Sequence, residues 1–206
     1  MKINCLVFAL FSLFTVKTYS QKSLNQKTEQ QFISTCEKIA KAFINKDINT
    51  INSYISPSIG IYLLYMPGAY ANYAHLNRLL TDTLNFSFNN YYNSIPQSDK
   101  LKFDAAIKYN CGETEWNKRG SFIDASNKHK PISEVIKWKE KDAKEYNYKA
   151  KKESSTELVN IKIVEKKMRR IIFTQIGCCG MVFYMSFING KWYLSILDEV
   201  ENNCDI

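Results

Sequence analysis

The spacing of apolar positions changes along the chain, and each change marks an element. Cys5 to Val16 is a 12-residue apolar run, with Lys2 before it and the small residues Thr18 and Ser20 just ahead of Gln21. A basic start, a short apolar stretch and small residues at the exit read as a secretory signal peptide over 1–20. The run is too short to cross a membrane as a helix. Residues 24–45 repeat at three and four, with Phe32, Cys36, Ile39, Ala40 and Phe43 on one side and Glu29, Glu37, Lys38 and Lys41 elsewhere on the wheel. That spacing predicts an amphipathic helix. A short helix over 49–55, capped by Asp47 or Asn49, stops before Pro57. The β-branched and aromatic run Ile59 to Tyr65, closed by Pro67-Gly68, predicts a strand and a turn.

The middle of the chain is less periodic. It suggests a helical turn over 73–80, a short strand over 84–88 and a helix over 99–108 presenting Leu101, Ala105 and Ile107. An ordered loop or irregular strands follow over 110–130. Pro131 suits the first residue of a helix through Ile132, Val135, Ile136 and Lys139. Its charged continuation to about Lys152 is an exposed helix or a connector. Leu158–Val164 alternates, with Val159, Ile161 and Ile163 on one face. Arg169–Ile176, Met181–Ile188 and Lys191–Leu197 complete a predicted meander of four antiparallel strands, the last two joined by Asn189-Gly190. That dipeptide accepts the positive φ angles of a type I′ hairpin turn. Helices early and strands late give an α+β class, with N-terminal helices on a curved antiparallel sheet.

Composition narrows the class. The 206 residues are 45% hydrophobic and 23% charged with only 7 glycines, which excludes a disordered, collagen-like or coiled-coil chain. Removing 1–20 leaves a single domain over 21–206. The net charge of +8 is concentrated, since residues 128–170 carry 14 basic and 7 acidic side chains. Lys greatly outnumbers Arg, so this segment reads as a solvated face. An anionic partner is the alternative, and nucleic acid is not expected because Arg forks are few.

Five cysteines remain after the signal: Cys36, Cys111, Cys178, Cys179 and Cys204. Export favours disulfides over metal. No C-x-x-C pair exists, His75 and His129 stand alone in the sequence, and neither a metal nor a cofactor is expected. Adjacent Cys178 and Cys179 form a vicinal ring or pair elsewhere.

Candidate chemistry is sparse, and no catalytic residue is assigned. Tyr62, Tyr65, Met66, Tyr70 and Tyr73 cluster around Pro67-Gly68. Tyrosines at a pocket mouth offer stacking area and a hydroxyl, so Tyr62, Tyr65 and Tyr70 are the candidate ligand-binding residues, against a plain core strand. Met181, Phe183, Met185 and Phe187 mark one strand face that either packs a core or encloses a pocket. Asp198, Glu199 and Glu201 would make an acid–base pair with His75 only if the fold brought them together.

Three pieces carry a resemblance: S-P-S-I-G-I-Y (56–62), Y-N-C-G-E-T-E-W-N-K-R-G-S-F (109–122), and F-Y-M-S-F-I-N-G-K-W-Y-L-S-I-L-D (183–198) with Cys204 beyond it. With the signal peptide and first helix, these resemble small exported Bacteroidota proteins of the nuclear-transport-factor-2-like, or cystatin-like, α+β type. The resemblance implies a cone-like fold and a place in the cell envelope. It also points to a bridge between Cys111 and Cys204, which fall in the recurring pieces. It transfers no catalytic residue. The expectation is an exported, non-enzymatic protein that binds a small molecule or an envelope protein. The alternatives are a hydrolase- or isomerase-type enzyme with an acid in the cone, or an immunity-type inhibitor using the basic segment.

Overall fold

The computed structural model describes residues 28–68, 70–80, 100–150, 152–174 and 180–201. The signal segment, the strand expected over 84–88, Cys178, Cys179 and Cys204 lie outside them. The chain divides into two compact units, residues 1–38 and 39–206. In the first unit residues 28–38 are helical, with Phe32 and Cys36 buried. The second unit is helical over 39–44 and then forms α1 (Ile48–Ser53), whose first turn is held by the Asp47 carboxylate accepting from the Thr50 N–H at 3.0 Å. No helix among the described residues is long and apolar enough to cross a membrane.

The second unit is built on an open, curved, seven-stranded sheet. Its strands are β1 (Ile61–Tyr65), β2 (Asn72–Leu76), β3 (Lys102–Phe103), β6 (Gly120–Asp124), β7 (Met168–Thr174), β8 (Gly180–Ile188) and β9 (Lys191–Asp198). The spatial order is β2-β1-β9-β8-β7-β6-β3. Two pairs are parallel, β1 with β9 and β3 with β6, and the rest are antiparallel. A separate hairpin joins β4 (Tyr109–Asn110) to β5 (Glu115–Trp116). Asn189 and Gly190 take positive φ between β8 and β9, as the hairpin reading required. Gly60 has φ +85 and lets the Leu76 carbonyl of β2 approach to 2.3 Å from where a Cβ would stand, so no other residue fits there.

Mixed α+β architecture is therefore correct, but three elements differ from the sequence reading. Residues 72–76 form β2 and not a helical turn, because they pair along the whole of β1. Residues 100–108 are not helical. They contain β3, and Asn117 ties the following loop by accepting from the Lys108 N–H and donating to the Ala106 carbonyl.

The third difference is the largest. Residues 158–164 are not a strand but part of helix α3 (Ser155–Lys166). The Ser154 hydroxyl caps it, accepting from the Glu157 N–H at 3.1 Å. Ile161, Val164 and Glu165 are buried at helical spacing, while Val159 and Ile163, assigned with Ile161 to one strand face, are exposed. The expected four-strand meander is thus three consecutive strands, β7 to β9, and β6, which precedes α3 in the chain, pairs antiparallel beside β7. Ser154→Ala is expected to cost about 1 kcal/mol by urea denaturation. An unchanged midpoint would show that tertiary packing alone fixes the start of α3.

Helix α2 (Pro131–Glu145) starts at Pro131 as expected and takes in the first part of the charged continuation, to Glu145. Its N-cap Lys130 makes no side-chain cap; the carboxylate of Glu165, from the end of α3, accepts from the Ile132 and Ser133 N–H groups instead. An anion at a helix N-terminus is favourable, and here it fixes α2 to α3. The helices cover the sheet face that bears Tyr62, Leu64, Ile172, Val182, Tyr184 and Ile196. Met181, Phe183 and Met185 alternate onto the opposite face and are buried there.

Candidate functional site

A cavity of about 1640 Å³ lies in the second unit, between the covered sheet face, α2 and the segment leading into α3. It exceeds the roughly 300–1,000 Å³ common for small-ligand pockets. One part is rich in aromatics, where Tyr65, Tyr70, Trp138 and Tyr148 line it, the last three strongly exposed, with Asp142 accepting from the Tyr148 hydroxyl among them. The other part is ionic.

The ionic side follows from strand register. Asp124 on β6 is opposite Arg170 on β7, Arg170 opposite Tyr184 on β8, and Tyr184 opposite Ile196 on β9. Ile196 in turn is opposite Tyr62 on β1, which is opposite His75 on β2. Residues directly opposite share a sheet face. One row across six strands thus carries a carboxylate, a guanidinium, a phenol, an apolar spacer, a second phenol and an imidazole. A β-bulge interrupts the β8–β9 register beside Tyr184, and the extra residue, Ser195, donates to the Tyr184 carbonyl at 3.0 Å.

Arg170 is the hub and is almost fully buried. Its Nη1 donates to the Glu201 carboxylate, and its Nη2 donates to the Ile107 carbonyl at 2.9 Å and approaches Asp124 Oδ2 at 3.4 Å. Asp124 Oδ2 also accepts from His129 Nε2 at 2.7 Å, and its Oδ1 from the Ser126 N–H at 2.8 Å. Burial pushes the Asp124 carboxyl up, but the Ser126 and His129 hydrogen bonds outweigh it and leave it below its ordinary value. Tyr184 donates to Asp198 Oδ2 at 3.3 Å, and Asp198 Oδ1 accepts from the Val200 and Glu201 amides.

Burial raises Asp198 in spite of those hydrogen bonds. Burial and then the neighbouring Asp198 carboxylate push Glu201 up to about 7. An acid tuned to neutrality inside a cavity can accept or give a proton there.

No protein-family model, curated protein or solved structure matches the chain.

The structure distributes the candidate residues unevenly. Tyr65 and Tyr70 line the cavity. Tyr62 does not; it is fully buried and stacks on the His75 ring at 4.3 Å with an interplanar angle of 9°. His75, Asp198 and Glu201 all face the same cavity, yet His75 takes Glu157 as its carboxylate partner, Nδ1 to Oε2 at 2.8 Å. Cys111 lies exposed in the β4–β5 turn, and its suggested partner Cys204 falls outside the described residues. Part of the basic excess of 128–170 is engaged within the unit: Lys130 donates to the Glu165 carbonyl and Lys139 to Asn72 Oδ1, and Arg170 is internal. Among the described residues no group of three histidine, cysteine or acidic side chains is arranged to hold a metal.

Asp124, His129, Glu157 and Arg170 were missed as site residues. Two of them left a signal in the period of their strands. Arg170 shares parity with Met168 and Ile172, and Asp124 with Phe122, so each puts a charge on an apolar face. A charge in that register needs a partner or a function.

Proposed function

We propose that this is an exported binding protein that holds a small amphipathic ligand in the sheet cavity. The observation that carries this reading is the polarity of the cavity, aromatic on one side and a hydrogen-bonded acid, guanidinium and imidazole network on the other. Tyr65, Tyr70 and Trp138 are assigned to the apolar body of the ligand, and the Asp124–Arg170–Tyr184 row to its polar head. Export rests on the signal-like 1–20 segment, and a bridge from Cys111 to Cys204 suits an oxidising compartment.

The test is native mass spectrometry of the mature protein purified from its exported pool, beside an Ala71→Trp variant that fills the cavity from β2's leading edge. A bound mass in the wild type and its loss in the variant is the expected result. The same mass in both would place the ligand elsewhere.

A second reading is acid–base catalysis on that ligand, favoured by the Glu201 carboxyl near 7 beside Asp198 and Tyr184. Turnover of the co-purified compound by the wild type and not by Glu201→Gln would separate an enzyme from a carrier.

A further inference from the structure

The cavity contains both histidines of the chain, and their hydrogen bonds give them opposite roles. His75 has both ring nitrogens on acceptors, Nδ1 on the Glu157 carboxylate and Nε2 on the Ile59 carbonyl. With both nitrogens placed against protein acceptors, neither is open to a ligand. Stacking against Tyr62 fixes its plane as well. His75 is therefore a strut between β2, the segment before β1, and α3.

His129 is different. Its Nε2 donates to Asp124, which is held in turn by Ser126 and Arg170. With its Nε2 proton directed to Asp124, the neutral ring presents its lone pair on Nδ1. Nδ1 has no hydrogen-bond partner among the described residues, and the ring is about one-third exposed on the cavity wall. The Tyr184 ring lies 6.2 Å away.

We propose that His129 Nδ1 is the recognition atom of the cavity, accepting a hydrogen bond from a ligand hydroxyl carried on an aromatic ring. The hydroxyl follows from the lone pair itself: an unprotonated Nδ1 accepts from a neutral O–H and opposes the lone pairs of an anionic oxygen. The ring follows from the walls, where Tyr65, Tyr70, Tyr73, Trp138 and Tyr184 offer aromatic faces and edges. Asp124 is a positioning residue that acts through His129. This inference rests on the ligand-cavity reading and specifies its ligand class.

The probes are beta-naphthol and its methyl ether, which share a ring system and differ in the hydrogen-bond donor. Binding is followed by fluorescence titration of the wild type, His129→Phe and the cavity-filled Ala71→Trp. The wild type is expected to prefer the naphthol about tenfold, the worth of one well-placed hydrogen bond. In His129→Phe the preference should fall to about one while the ether's affinity is kept. A preference that survives His129→Phe overturns the inference and leaves the cavity reading intact. Equal binding of either probe to the wild type and Ala71→Trp overturns both.

Should His129→Phe not fold, imidazole nitrogen NMR of the wild type decides the matter, since only two histidines contribute. The naphthol and not the ether should move one unprotonated Nδ1 resonance. If neither moves it, the inference is wrong.

Discussion

Arg170→Met is expected to destabilise the protein by about 3–5 kcal/mol near neutral pH, the cost typical of breaking a buried ion pair from one side. The side chain is 4% exposed and bonds to Glu201, Ile107 and Asp124 together. Its loss leaves the Glu201 carboxylate without a cation, the Ile107 carbonyl without this donor, and Asp124 dependent on His129 and Ser126. Arg170→Lys is not a rescue, because an ammonium cannot reach three acceptors in the fork geometry of a guanidinium. The cost should shrink on acidification, when Glu201 takes up a proton and the wild type itself loses the pair. Urea denaturation at about pH 7 and about pH 5 checks this. An equal cost at both would mean that Arg170 stabilises through Asp124, the Ile107 carbonyl and its packed stem and not through Glu201.

The second large effect is on the pH dependence of stability. Glu201 rises from an ordinary 4.5 to about 7 in the folded protein, chiefly through burial. Such a group retains its proton in the folded state where the unfolded chain has lost it. Its contribution is complete below about 4.5, declines as pH rises toward 7 and is gone above that. The decline is on the order of 3 kcal/mol. Asp198 is shifted the same way by burial and adds to it.

Asp124 acts in the opposite sense. Its lowered value contributes stability above the ordinary aspartate range, which is lost as pH falls through its folded value. Glu201→Gln should therefore flatten the decline between about pH 4.5 and pH 7 and leave the acid limb unchanged. A wild-type slope retained in Glu201→Gln would assign the effect to Asp198 or another group.

Legibility in the sequence varied with the range of the interaction that decides each element. The α1 cap at Asp47, the Pro131 start of α2, the Asn189-Gly190 hairpin and the long apolar strands β7 to β9 are set by residues within a few positions of each other. Residues 158–164 misled because Val159, Ile161 and Ile163 alternate like a strand, while the deciding local signal, Ser154 three residues before Glu157, lies just upstream. Residues 72–76 misled for the converse reason. Nothing local marks them as a strand, and they become one by pairing with β1.

The candidate site shows the same division at longer range. By itself the sequence determined the α+β class, most of the short-range elements and the tyrosine cluster of which Tyr65 and Tyr70 reach the cavity. Only the tertiary structure decided that Asp124, Arg170, Tyr184, Tyr62 and His75 would stand in one row, because strand register joins residues far apart in the chain through backbone hydrogen bonds that no local pattern encodes. It also decided which histidine keeps a nitrogen open to a ligand. That depends on which carboxylate and carbonyl arrive beside each ring, Glu157 and Ile59 at His75 but Asp124 alone at His129. Proton affinities in the cavity have the same origin, since burial and neighbouring charge are properties of the assembled fold and not of the residue type.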